Sequence, residues 1–202
     1  GRDDVIPLWF GEPNEATPDF IKQAAFDALE GDQVFYAQNR GVPSLREALS
    51  TYVSDLHSRI IGVDRLTVTA SGMNAIMLVS QALIDDGDNM VIVGPVWPNC
   101  CQTVQVMGGE ARQVALKPDE NGLWQLDIDA LFDLCDERTR AVFVNSPGNP
   151  TGWVMKSSEQ RILLDECKKR GIYVVADEVY IRLAYEQPRA PSFLDISLAD
   201  DP

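Results

Sequence analysis

Apolar residues fall along this chain in two rhythms. At helical spacing they occupy Phe20, Ile21, Ala24, Ala25, Ala28 and Leu29, then Leu45, Leu49, Tyr52, Val53 and Leu56. The first set predicts a helix that starts at Thr17-Pro18, with Pro at its first position, and stops at Gly31. Pro43 opens the second helix, residues 34–41 read as a loop, and residues 1–14 as an extended arm. Beyond residue 65 the rhythm changes to short unbroken runs rich in Val and Ile, each followed by a longer amphipathic stretch. These predict strands at 66–70, 90–93, 111–116, 141–144 and 173–176, with helices at 72–84, 99–107, 127–135 and 158–170. Runs that are apolar without alternation belong to strands buried on both faces, and a helix after each strand makes successive strands parallel. The fold class is therefore α/β, a mostly parallel sheet with helices on both faces, preceded by an N-terminal arm.

Composition narrows the partners. The 202 residues are 45% hydrophobic and 24% charged, enough for one α/β domain with a real core. Thirty-one acids against 17 bases give a net charge of -14. Such a surface repels phosphate backbones, so no nucleic-acid partner is expected, although a pocket can still hold a small anion with local amides. No apolar run approaches the roughly 18 residues of a membrane span, and the first residues have neither a signal-peptide nor a transit-peptide pattern. Cys100, Cys101, Cys135 and Cys167 form no C-x-x-C pair, which predicts free thiols in a reducing cytoplasm. His57, the sole histidine, lies on the second helix and is expected to face solvent, which leaves no histidine triad or zinc site. A start at Gly1 and an end at Asp200-Asp201-Pro202 suggest a segment of something longer.

In an open α/β sheet, ligands bind beyond the carboxyl ends of the strands. Four stretches follow predicted strands there: Ser71-Gly72-Met73-Asn74, Gly94-Pro95-Val96-Trp97, the run from Asn145 to Gly152, and Asp177-Glu178-Val179-Tyr180. Taken singly each has a plain structural reading. Ser71 could simply cap a helix, Trp97 could be core, Asp177-Glu178 could be solvated charge or metal ligands, and Asn149-Pro150-Thr151-Gly152 could be a surface turn. Taken together they suit a flat, phosphorylated aromatic cofactor with a ring nitrogen. The amides around Ser71, Gly72 and Met73 hold the phosphate, and Trp97 stacks on the ring. Asp177 keeps the ring nitrogen protonated, while Asn149 and Tyr180 bond a ring oxygen. That describes pyridoxal 5'-phosphate.

These motifs resemble the class I/II aminotransferases of the aspartate aminotransferase superfamily, the fold type I enzymes that use pyridoxal phosphate. Asn149-Pro150-Thr151-Gly152 resembles the family's N-P-T-G, Asp177-Glu178-Val179-Tyr180 its D-E-x-Y, and Ser71-Gly72-Met73 its phosphate loop. Trp97 sits where an aromatic ring covers the pyridine. The stretch from Tyr36 through Gly41 to Leu45-Arg46 resembles Y-x-x-x-x-G-x-x-x-L-R, whose Tyr reaches the phosphate bound by the other subunit of a homodimer. Gly11 resembles an arm glycine that lines the substrate pocket with Trp97 and Asn149. The resemblance divides the chain into 1–40, an arm and helix serving a small domain and the dimer contact, and 41–202, a truncated large domain. It implies amino transfer between an amino acid and a 2-keto acid, with Asp177 and Tyr180 as catalytic residues. Carbon–sulfur or aminocyclopropane-carboxylate-type lyases of the same fold share every motif, and an aminotransferase-like effector domain of a transcription regulator is a non-enzymatic alternative. A Rossmann-type nucleotide binder would need more glycines than residues 69–74 supply. The family's cofactor-bonding lysine and its carboxylate-clamping arginine lie downstream of D-E-x-Y. None of Lys22, Lys117, Lys156, Lys168 and Lys169 matches the lysine, so these 202 residues alone are expected to be inactive.

Overall fold

The computed structural model describes residues 4–6, 11–12, 14–185 and 187–198. Residues 1–3, 7–10 and Pro13 of the expected arm, Glu186, and the terminal 199–202 lie outside these. In chain order the elements are α1 (Asp19–Glu30), α2 (Pro43–His57), α3 (Gly72–Leu83), β1 (Asn89–Gly94), α4 (Asn99–Val106), β2 (Glu110–Ala115), β3 (Lys117–Pro118), β4 (Trp124–Gln125), α5 (Ile128–Asp133), β5 (Thr139–Asn145), α6 (Ser157–Arg170) and β6 (Tyr173–Asp177). Single 3₁₀ turns stand at Val63–Arg65 and Phe193–Asp195.

The main sheet runs β2-β1-β5-β6 with every neighbour parallel. Alternation within the strands divides the core in two. Val91, Val93, Val142 and Val144 face α5 and α6, where they meet Leu131, Phe132, Leu163, Leu164 and Cys167. Met90, Ile92, Ala141 and Phe143 face the other way, against Ile84, Cys100, Cys101 and Val104 from α3 and α4. Both residue sets are apolar because both faces are covered, which is why the strands read as unbroken runs. β3 and β4 form a two-stranded antiparallel ribbon that the sequence pattern missed, since two-residue strands carry no period.

Two expectations fail. No strand forms at 66–70. Leu66 has extended backbone, with φ -111° and ψ 133°, but Val68 bonds only back to Arg40 O, at 3.0 Å. Val and Thr favour extension, but a strand also needs a neighbour to share its ladder, and none flanks this stretch among the described residues. His57 is buried rather than turned to solvent. Its Nδ1 lies 2.9 Å from Asp195 Oδ1, and Arg189 grips the same carboxylate at 2.7 and 2.8 Å. Helical periodicity could not reveal a cover that arrives 138 residues later. α1 holds to its expected span, with Pro18 at the cap, yet buries none of its residues; Phe20, Phe26 and Leu29 are exposed.

Candidate active site

The sheet order creates the site. From β1 the chain moves outward to β2, then returns to β5 on the other side and continues to β6. α4, after β1, packs on one face, and α6, after β5, packs on the other. The loops leaving β1 and β5 therefore part, and a crevice opens beyond their carboxyl ends. A cavity of about 530 Å³ lies there, lined by Gly11, Gly72, Met73, Trp97, Asn149, Asp177 and Tyr180, with Phe143 and Val175 among the apolar walls.

Asn145, the last residue of β5, ties the loops together. It stands in register with Asp177, donates from Nδ2 to Asp177 O at 3.1 Å, and accepts the Asn149 N–H on Oδ1 at 2.8 Å. Sequence reasoning did not assign it a role. The available signal was a polar residue closing an apolar strand. Trp97 N–H bonds Asn149 O at 3.0 Å, so the loops from β1 and β5 are joined directly. Within N-P-T-G, Gly152 adopts φ +68° and its N–H reaches Gly148 O at 2.7 Å; a side chain there would strain the turn. The result presents the Asn149 amide to the Tyr180 hydroxyl at 3.4 Å.

Asp177 and Glu178 diverge, as neighbours at a strand end must. The Asp177 carboxylate lies at the cavity, where burial pushes it above the ordinary carboxylate range and the Val179 N–H at 3.2 Å only partly offsets this. No ion pair reaches it among the described residues. Glu178 turns away to accept from Ser192 Oγ at 2.6 Å and Phe193 N–H at 2.9 Å. Burial raises it too, against those two bonds and His57. Divergence removes the paired-carboxylate metal reading, and among the described residues no cluster of three or more His, Cys, Asp or Glu could hold a metal.

The α3 start supplies the opposite character. Ser71 Oγ accepts the Asn74 N–H at 3.1 Å, a true cap. The N–H groups of Gly72 and Met73 have no intrahelical acceptor, and nothing stands within 4 Å of where a Gly72 side chain would project. A ligand anion can approach them unhindered. Trp97 is 40% exposed, so it is cavity wall and not core. Ser71 itself lies beside the cavity, not in its lining. Tyr36 is fully exposed and does not border it, and no lysine is in the lining. The arrangement offers an anion seat, an aromatic plate, an amide with a phenol, and a half-buried carboxylate that meets no cation among the described residues.

Comparison with known proteins bears on this geometry. A family model, Aminotransferase class I and II, matches residues 3–201. A probable aspartate/prephenate aminotransferase of Aquifex aeolicus is 33% identical over 182 residues, which is 90% of this chain and 46% of the relative. The solved aspartate aminotransferase of Thermotoga maritima superposes with a TM-score of 0.89 at 32% identity, over 96% of this chain and 51% of that one. An aromatic aminotransferase of Pyrococcus horikoshii gives 0.88 at 28% identity, over 100% and 53%. The chain thus spans about half the length of the relatives it matches.

Proposed function

The chain belongs to the family of class I and II aminotransferases, and from that premise we propose that it forms the cofactor-binding part of a pyridoxal-phosphate-dependent aminotransferase. The protein would move an amino group between an amino acid and a 2-keto acid. One observation carries the reading: Asp177, a carboxylate raised by burial, borders the cavity with no cationic partner among the described residues. A cation beside it would favour its charged form, and a protonated ring nitrogen is such a cation. The other groups match the remainder of the same cofactor. Gly72 and Met73 N–H face its phosphate, and the Ser71 hydroxyl, though it accepts from Asn74, keeps its own proton to donate. Trp97 covers the ring, and Asn149 with Tyr180 bonds the ring oxygen.

Bound there, pyridoxal phosphate supplies an electron sink for the bond broken at the substrate α-carbon. The chain's own residues hold and tune it. Asp177 would keep the proton on the ring nitrogen, Tyr180 and Asn149 would bond the ring oxygen, and Gly11, Trp97 and Asn149 would face the substrate. We extend the reading to a homodimer in which Tyr36 serves the neighbouring site. Residues 1–40 would serve a small domain and the dimer contact, and 41–202 would form the large domain. The free cysteines fit a reducing, cytoplasmic setting, and no helix among the described residues is long and apolar enough to cross a membrane. Relatives named for aspartate, prephenate and aromatic substrates make dicarboxylic and aromatic amino acids the first to test. The test incubates the intact protein with these donors and a 2-keto acid acceptor. Stoichiometric exchange of amino and keto groups supports the proposal; no exchange with these donors, together with release of thiol, ammonia and pyruvate from a β-thio-substituted amino acid, would replace it with elimination chemistry.

A further inference from the structure

The stretch between α2 and α3 must deliver Ser71, Gly72 and Met73 to the cavity, yet it has no sheet to hold it. Its backbone is held instead by α2 and the loop before α2. Arg46, in the first turn of α2, donates from Nε to Leu66 O at 3.2 Å and from a terminal nitrogen to Val63 O. Arg40 donates to Thr67 Oγ1 at 3.2 Å and to Asp64 O, while Val68 N–H returns to Arg40 O at 3.0 Å. Guanidinium geometry suits this task, because one rigid fork can serve two carbonyls that a ladder would otherwise satisfy. Gly41 lets the loop press close. It sits at φ +100°, and a Cβ there would stand 2.8 Å from Val68 Cβ. Neither Gly41 nor Arg46 borders the cavity.

We infer that Gly41 and Arg46 are positioning residues for the cofactor phosphate: by clamping residues 63–68 they fix where the amides at the α3 start stand. The inference rests on the pyridoxal phosphate reading above. The measurement is equilibrium binding to the cofactor-free intact protein, by ligand absorbance, of pyridoxal phosphate and of pyridoxal, which lacks only the phosphate. The readout is the ratio of the two affinities. The wild type is expected to prefer the phosphorylated form strongly. In Arg46→Ala and Gly41→Ala that ratio falls by about tenfold, roughly the value of one well-placed charge-assisted donor, with pyridoxal affinity unchanged. Arg46→Lys keeps the charge but not the fork, so its ratio falls too. That variant decides the matter if the other two do not fold. A strong wild-type preference that Arg46→Lys retains in full would overturn the inference, as would equal weakening of both ligands. A wild type with no preference would instead overturn the cofactor reading.

Discussion

Asp177 and Asp136 are carboxylates driven in opposite directions, and their pH signatures differ in sign. Burial raises Asp177, so the cofactor-free fold holds that proton more tightly than the unfolded chain does. Its contribution is best at low pH and worsens as pH rises through the raised value. Asp177→Asn removes this decline. Thermal melts of the cofactor-free protein should show the variant gaining on wild type as pH rises above the ordinary carboxylate range. Asp136, bonded by Arg112, Asn89 and the Arg138 N–H, is lowered to about 2 from 3.8. Its stabilisation is present above 3.8 and lost as pH falls through about 2. Asp136→Asn should therefore cost stability at neutral pH, and the difference from wild type should vanish in acid. For function, Asp177→Ala in the intact protein should cut turnover by at least about a hundredfold while circular dichroism stays native, because the ring nitrogen loses its charge partner. Near-normal turnover would refute the role.

At the scale of elements, what could be read in the sequence follows from how local each cause is. β1 and β5 were legible because burial on both faces leaves apolar runs at their centres, and the half-buried edge strand β6 because Val174 and Val175 favour extension. The starts of α2 and α3 were legible because Pro43, the first residue of α2, and Ser71, the cap of α3, act within one turn. Residues 66–70 misled because extension is a local preference whereas a ladder requires a neighbour. His57 misled because its partner Asp195 is remote in sequence. At the site, Trp97, Asn149, Asp177 and Tyr180 were legible as motifs following strands, whereas Gly72 and Met73 were legible as a helix start that no strand precedes. Asn145 was not, since its role is to hold the backbone of Asn149 and Asp177, which no motif advertises. Packing on the α6 face can be tested directly. Leu163 is fully buried against the sheet, and Leu163→Ala should cost about 2–5 kcal/mol in denaturant unfolding. A loss within experimental error would mean that α6 does not pack as described.

At the scale of the molecule, apolar side chains outside the cavity lining stand uncovered. Phe20, Phe35 and Tyr36 are exposed, and α1 buries none of its residues. Apolar surface of this kind suits contact with further protein, which the proposed homodimer would supply. The proposed homodimer predicts that light scattering of the intact protein gives twice the protomer mass, and that Tyr36→Phe keeps the dimer but loses cofactor faster on dialysis. A fully active monomer would contradict it. The central claim is that one cavity, at the carboxyl ends of β1, β5 and β6, seats pyridoxal phosphate between the α3 start and Asp177. The measurement that tests it most directly is a crystal structure of the intact protein grown with pyridoxal phosphate. The account predicts the phosphate on the amides of Gly72 and Met73, the ring against Trp97, and the ring nitrogen within hydrogen-bonding distance of the Asp177 carboxylate. A cofactor bound elsewhere, or bound here with its nitrogen turned away from Asp177, would contradict it.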